Sequence, residues 1–207
     1  MKKVIISPHI DDEVLGCGGI LDKDTFIVEC GVDENRNIPG WGLVSRYTRL
    51  EEIEKVCKLS GASYICLDHK VNQYDLHEII GDIEKIINEH KPIEIYLPHP
   101  SYNQDHRQVY EAALTALRPH DINFMVKRVL VYEQPHVFMW DWNYSEFKPN
   151  YFVEINIDFK IKLYEEGLPS QVRNFRDSNM LKALALLRGK QSGYEYAESY
   201  QILRWIK

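Results

Sequence analysis

The 207-residue chain predicts an α/β fold, a mostly parallel sheet with helices on both faces. Three observations predict it. Short apolar runs alternate with helical patterns as far as Tyr132, and strands that alternate with helices pair in parallel. Two polar clusters each follow directly on an expected strand, which is where ligand sites form in open parallel sheets. The composition, 44% hydrophobic and 27% charged, is that of a globular protein. The sheet is expected to be Rossmann-like, with strand order 3-2-1-4-5. We read one domain over 1–207, with 1–133 as its core and 134–207 as a C-terminal α/β extension. No repeat, low-complexity tract or linker interrupts it.

The elements follow in order. Lys3–Ser7 is a short apolar run, expected as a buried strand. Gly16-Cys17-Gly18-Gly19 opens a helix toward Leu21, and Thr25–Cys30 is the second strand. Arg46–Ser60 carries Leu50, Ile53 and Cys57 at helical spacing, and Gly61 stops it. Tyr64–Leu67 is the third strand. Leu76, Ile79, Ile80, Ile83, Ile86 and Ile87 form a helical stripe that Lys91-Pro92 ends. Ile93–Leu97 is the fourth strand, His106–Leu117 a helix, and Val126–Tyr132 the fifth strand. From Pro135 to Asn150 aromatic and proline residues predict a long loop or small hairpin. Tyr151–Ile157 alternates as a strand would, and helices are expected over Asp158–Glu166, Met180–Leu187 and Glu195–Ile206.

Charge and cysteine usage exclude several classes. With 25 Lys+Arg against 31 Asp+Glu, the net charge of −6 argues against nucleic acid as a partner. Cys17, Cys30, Cys57 and Cys66 form no C-x-x-C pair, so zinc ribbons and thioredoxin-like motifs are absent. They read as free thiols in a reducing compartment, and the expected location is the cytoplasm. Lys2-Lys3 and Val4-Ile5-Ile6 start like a signal peptide, but Ser7-Pro8-His9 and Asp11-Asp12-Glu13 cut the apolar run short. No stretch approaches the ~20 apolar residues of a membrane span.

The chemistry lies in the two polar clusters. The first is Pro8-His9-Ile10-Asp11-Asp12-Glu13, after strand one. The second runs from Pro98 and His99 through Asn103-Gln104-Asp105-His106-Arg107, after strand four. Strands one and four flank the point where strand order reverses, so the clusters should meet. A catalytic zinc takes three protein ligands and keeps one open position. His9 and Asp12 offer two ligands on one turn, and His106 offers the third. Asp11 is left beside an activated water, the place of a general base. This is the chemistry of metal-assisted amide or ester hydrolysis.

These residues resemble the PIG-L/LmbE-like zinc N-deacetylases. The resemblance rests on Pro8, His9, Asp11, Asp12 and Glu13 with Gly16-Cys17-Gly18-Gly19, and on Asp105-His106-Arg107. Arg49, Glu52 and Gly61, Ser170-Gln171, and Arg188-Gly189, Gly193 and Tyr196-Ala197-Glu198 extend it along nearly the whole chain. It implies Zn2+, or another divalent metal, held by His9, Asp12 and His106. It implies an N-acetylated sugar or sugar conjugate as the small-molecule substrate, with homo-oligomers common. Many members carry a second His three residues before the metal His, where this chain has Asn103. An amide carries no titrating proton at neutral pH. Asn103 or Tyr102 then serves as a donor to the oxyanion, and Asp105 orients His106 or the shell behind it.

Other readings compete. His9-x-x-Asp12 alone would pass for a helix cap. The Gly16–Gly19 run suits either close approach to a ligand or tight helix packing. Leu21 stands where a dinucleotide fingerprint needs Gly or Ala. Arg49 reads as a grip on substrate or as a surface pair with Glu52. Glu133, at the functional edge of the sheet, is a candidate substrate contact, and His99, next to Pro100, reads as structural rather than as a further ligand. Phe138, Trp140, Trp142, Tyr144 and Phe147 suit a hairpin core or subunit contact better than a sugar-stacking lip. The expected function is a metal-dependent N-deacetylase. The alternatives are a hydrolase for another acyl amide or ester, or an inactive metal- or sugar-binding module.

Overall fold

The computed structural model describes residues 2–32, 44–135 and 146–207. Seven strands form one sheet in the order β3-β2-β1-β4-β5-β7-β6. They are β1 (Lys3–His9), β2 (Thr25–Gly31), β3 (Ser63–His69), β4 (Glu94–Pro98), β5 (Arg128–Tyr132), β6 (Tyr151–Glu154) and β7 (Ala197–Trp205). The first five pair in parallel and give the expected 3-2-1-4-5 order. β7 then runs antiparallel to both β5 and β6.

Alternation along the central strands builds a core on each face. Val4, Ile6, Phe26, Val28, Ile95, Leu97 and Val129 point to one side. There they meet Ile79, Ile83 and Ile87 of α3 (Leu76–His90) and Val109 and Ala113 of α4 (Gln104–Ala116). Ile5, Ile27, Tyr96 and Leu130 point to the other side. They pack there with Val14 and Leu15 of α1 (Asp12–Cys17) and Ile53 and Val56 of α2 (Arg46–Ser60). Leu163 and Tyr164, which follow α5 (Ile157–Lys162), close that core. A last helix, α6 (Ser178–Ser192), precedes β7.

Local signals set the helix ends. The Ser45 side chain caps α2, and Gly61 takes the left-handed conformation at φ 81° that ends it. Asp75 caps α3 through the His77 and Glu78 amides, and Lys91 ends it at φ 47° before Pro92. No helix of the described residues is long and apolar enough to cross a membrane. The four cysteines are unpaired.

Three expectations change. The first helix starts at Asp12, not at the glycines, because the chain turns directly after β1. The glycines serve packing. A Cβ on Gly16 would sit 2.2 Å from the Tyr132 ring, and one on Gly19 would sit 2.3 Å from Ile155. The expected strand over Tyr151–Ile157 stops at Glu154, because the Asn156 side chain caps α5 from the Phe159 amide. The expected C-terminal helix is instead β7. Ala197, Glu198, Ser199 and Tyr200 are all buried, in a strand that pairs with a neighbour on each side. β7 also covers the edge that β5 would otherwise expose. Phe138, Trp140, Trp142 and Tyr144 lie outside the described residues. Phe147 packs its ring edge-on against buried His99, with centroids 5.4 Å apart.

Candidate metal centre

β1 delivers His9 to the carboxyl edge of the sheet, and α1 begins three residues later with Asp12. α4 starts beyond β4 and carries His106 in its first turn. The strand order therefore joins two segments far apart in sequence. Donor atoms of His9, Asp12 and His106 lie within 4.8 Å of one another. Asp12 Oδ2 is the centre of the group, 3.4 Å from His9 Nδ1 and 3.3 Å from His106 Nε2. Two imidazoles and one carboxylate form the donor set of a divalent zinc-type cation, and these residues fit one.

The surroundings hold these donors in place. His9 Nε2 lies 2.9 Å from Asp105 Oδ2, which leaves Nδ1 facing Asp12. Asp105 also accepts the Asn72 amide at 2.8 Å. Asp105 thus stands behind His9, within the sequence reading that gave it to His106 or the shell behind it. A carboxylate behind a ligand histidine is the usual support of a metal site. Gln134, which sequence reasoning missed, donates its amide to Asp12 Oδ1. It lies two residues beyond β5 and is fully buried.

Charge balance also fits a cation. Burial disfavours a protonated His9, but bonds to Asp105 and Asp12 outweigh it and raise the imidazole to about 10. Burial likewise works against ionised Asp12, yet His106 and His9 hold its carboxyl well below the usual range. Without a cation the site keeps a proton that a metal would displace.

Asp11 sits beside this group at φ 143°, a conformation rare for a non-glycine residue. Its amide donates to Glu13 Oε2 at 2.8 Å. Burial raises the Asp11 carboxyl above the ordinary range, against the lowering pull of Arg176. Burial, with Asp11 nearby, raises Glu13 to about 8. Arg176 Nη2 donates to Asp11 Oδ2 at 2.8 Å. Arg176 was also missed, since a lone arginine in a turn carries no motif.

The remaining candidates are distributed as follows. Asn103 caps α4, its Oδ1 accepting the Asp105 amide at 2.9 Å. Tyr102 stands beside it, partly exposed. Arg49 is almost fully buried rather than on the surface, paired with Glu52 and 3.3 Å from Ser170 Oγ. With its amide nitrogen turned to Asp11, Gln171 donates to Asp11 Oδ2 at 3.2 Å and accepts from Arg49 Nη1 at 2.9 Å. Arg49 therefore reaches the site through Gln171. Glu133, the candidate substrate contact, is engaged by protein groups. Arg188 grips its carboxylate with two donors and Ser199 Oγ adds a third at 2.7 Å, all buried.

Residues 4–117 match the PIG-L family, described as GlcNAc-PI de-N-acetylase. The chain belongs to the PIG-L family. As a member of that de-N-acetylase family it is an enzyme. The diacetylchitobiose deacetylase of Thermococcus kodakarensis is 28% identical over 235 aligned positions, which cover all of this chain and 85% of that protein. The N,N′-diacetylchitobiose deacetylase of Pyrococcus horikoshii, solved with an inhibitor, superposes with a TM-score of 0.77 at 20% identity. That match covers 98% of this chain and 84% of the other. GalB, the 4-carboxy-2-hydroxymuconate hydratase of Pseudomonas putida KT2440, superposes with a TM-score of 0.78 at 18% identity. It covers 100% of this chain and 98% of its own. The two superpositions show a shared fold, and a fold that hosts a hydratase does not by itself choose the reaction.

Proposed function

We propose that this PIG-L member removes the acetyl group from the nitrogen of an N-acetylated sugar or sugar conjugate, using a divalent metal, with zinc favoured by the donor set. The observation that carries this reading is the meeting of His9, Asp12 and His106 with a separate carboxylate, Asp11, beside them. A binding module needs the first three residues only. A hydrolase needs the fourth.

A divalent cation held by His9, Asp12 and His106 supplies Lewis acidity toward water and the acyl carbonyl. The chain's own residues do the rest. Asp11, a buried carboxylate beside that site, takes the proton from the attacking water. It then returns that proton to the leaving nitrogen, so one carboxylate acts as base and afterwards as acid. Asn103 spends its oxygen on the cap of α4 and keeps its Nδ2 protons for the acyl oxygen. Asp105 and Gln134 keep His9 and Asp12 in orientation. Arg49 braces Gln171 against Asp11, a role at one remove from substrate.

An amine-release screen tests the proposal. Zinc-loaded protein is presented with N-acetylglucosamine conjugates, including N,N′-diacetylchitobiose, and with their N-butyryl and O-acetyl counterparts. Free amine from the N-acetyl compounds above all others is expected. Release from the O-acetyl or N-butyryl set alone would give the site to another acyl substrate. Zinc binding without release from any of them would make it a binding module.

A further inference from the structure

Arg176 has no part in the scheme above, yet it makes the closest contact to Asp11 from outside its own turn. Its Nη2 donates to Asp11 Oδ2 at 2.8 Å, with both side chains largely buried. Gln171, in its satisfied orientation, donates to the same oxygen at 3.2 Å. Two donors on one oxygen stop the carboxylate from turning. The other oxygen, Oδ1, meets no protein donor among the described residues.

The arginine itself is held from several sides. Arg173 and Arg176 close a tight turn through paired backbone bonds, Arg176 N to Arg173 O at 3.0 Å and the reverse at 3.4 Å. The hydroxyl of fully buried Tyr164 lies 2.6 Å from the Gln171 carbonyl and 2.7 Å from the Arg176 carbonyl. Asp177, the next residue, caps α6 through the Met180 amide at 2.9 Å. At the other end of the strap, Glu52 accepts the Ser170 amide at 2.7 Å and the Ser170 hydroxyl at 2.8 Å. Asp11 needs such support, because its backbone holds a left-handed φ that a non-glycine residue keeps only when its neighbours impose it.

We propose that Arg176 is a positioning residue of this enzyme: anchored by the 170–177 strap, it fixes Asp11 through Oδ2 so that Oδ1 alone faces the reacting water. The proposal rests on Asp11 being the base. A base displaced by about 1 Å loses on the order of 100-fold in rate while substrate binding is untouched. The predicted signature is therefore a fall in kcat with KM little changed.

The test uses zinc-loaded protein with N,N′-diacetylchitobiose as probe, and compares Arg176→Ala, Arg176→Lys and Asp11→Asn with the parent. Arg176→Ala should lower kcat by about 10- to 100-fold, leave KM and zinc content in place, and regain rate on adding guanidinium. Arg176→Lys keeps the charge and should fall between parent and Ala, which covers the case of an unfolded Ala variant. Crystal structures of the zinc-loaded parent and Lys variant need no turnover. They should show one Asp11 orientation in the parent and a turned or split carboxylate in the variant. A raised KM at unchanged kcat would make Arg176 a substrate contact and overturn the proposal. An Asp11 carboxylate unmoved in the variant would overturn it as well. If Asp11→Asn loses rate and the Arg176 variants do not, positioning alone fails. If Asp11→Asn keeps its rate, the reading of Asp11 as the base fails first.

Discussion

Asn103 combines a structural duty with a proposed chemical one. Its oxygen closes the first turn of α4, directly before Asp105 and His106. In the proposed scheme its nitrogen is the donor to substrate. The two duties separate by substitution. Asn103→Ala removes both, and should cost about 1 kcal/mol of stability together with on the order of 100-fold in kcat. Asn103→Asp keeps an acceptor for the cap and loses the donor. It should melt like the parent while remaining as slow as the alanine variant. Parent-like turnover in Asn103→Asp, with metal content checked, would remove Asn103 from the reaction. The neighbouring pair Glu133 and Gln134 makes a related point. Consecutive residues leaving a strand face opposite ways. Glu133 turns to Arg188 and Ser199 and Gln134 turns to Asp12, so the sheet edge was legible in sequence but the side that each residue faced was not.

At the scale of elements, α1 is the part on which the site most depends, because it starts at Asp12 and must lie tight on the sheet. Gly16 permits that approach against Tyr132, whose hydroxyl donates to the Ile6 carbonyl at 2.9 Å and so cannot easily withdraw. Gly16→Ala should destabilise the fold by about 1–3 kcal/mol through overpacking, read as a lower urea midpoint at unchanged slope. A parent-like midpoint would mean that Tyr132 moves freely. Five strands and three long helices could be read from periodicity and caps, since each signal is local, and the strand order followed from the fold class they imply. β7 could not. Tyr196 to Ile206 mixes helix-forming and strand-forming residues, and its state is decided by the gap between β5 and β6. Arg176 escaped for a like reason, as it meets Asp11 across 165 residues and only the closed fold brings them together.

For the whole molecule, the metal site ties stability to pH. In metal-free protein Glu13 is raised from 4.5 to about 8, first by burial, and His9 from 6.5 to about 10 by Asp105 and Asp12 against burial. Both hold a proton more tightly folded than unfolded. Their relative stabilisation is complete below the unfolded values and is lost as pH rises through the folded ones. Glu13 acts between pH 4.5 and about 8, and His9 between pH 6.5 and about 10. Asp12, whose carboxyl is lowered, opposes them only as pH falls below its ordinary 3.8. The urea midpoint in chelator should therefore fall as pH is raised from about 5 to 9. Glu13→Gln, which mimics the protonated acid, should flatten the lower part of that fall. A midpoint that rises over this range would contradict the charge balance described here.

The central claim is a division of labour between two adjacent aspartates, Asp12 for the metal and Asp11 for the proton. The most direct measurement is the metal-to-protein ratio of Asp12→Ala and Asp11→Asn, taken side by side with amine release. Asp12→Ala should lose metal and activity together. Asp11→Asn should bind metal like the parent and lose about 10²–10⁴ in rate. Stoichiometric metal in Asp12→Ala, or loss of metal from Asp11→Asn, would contradict that assignment.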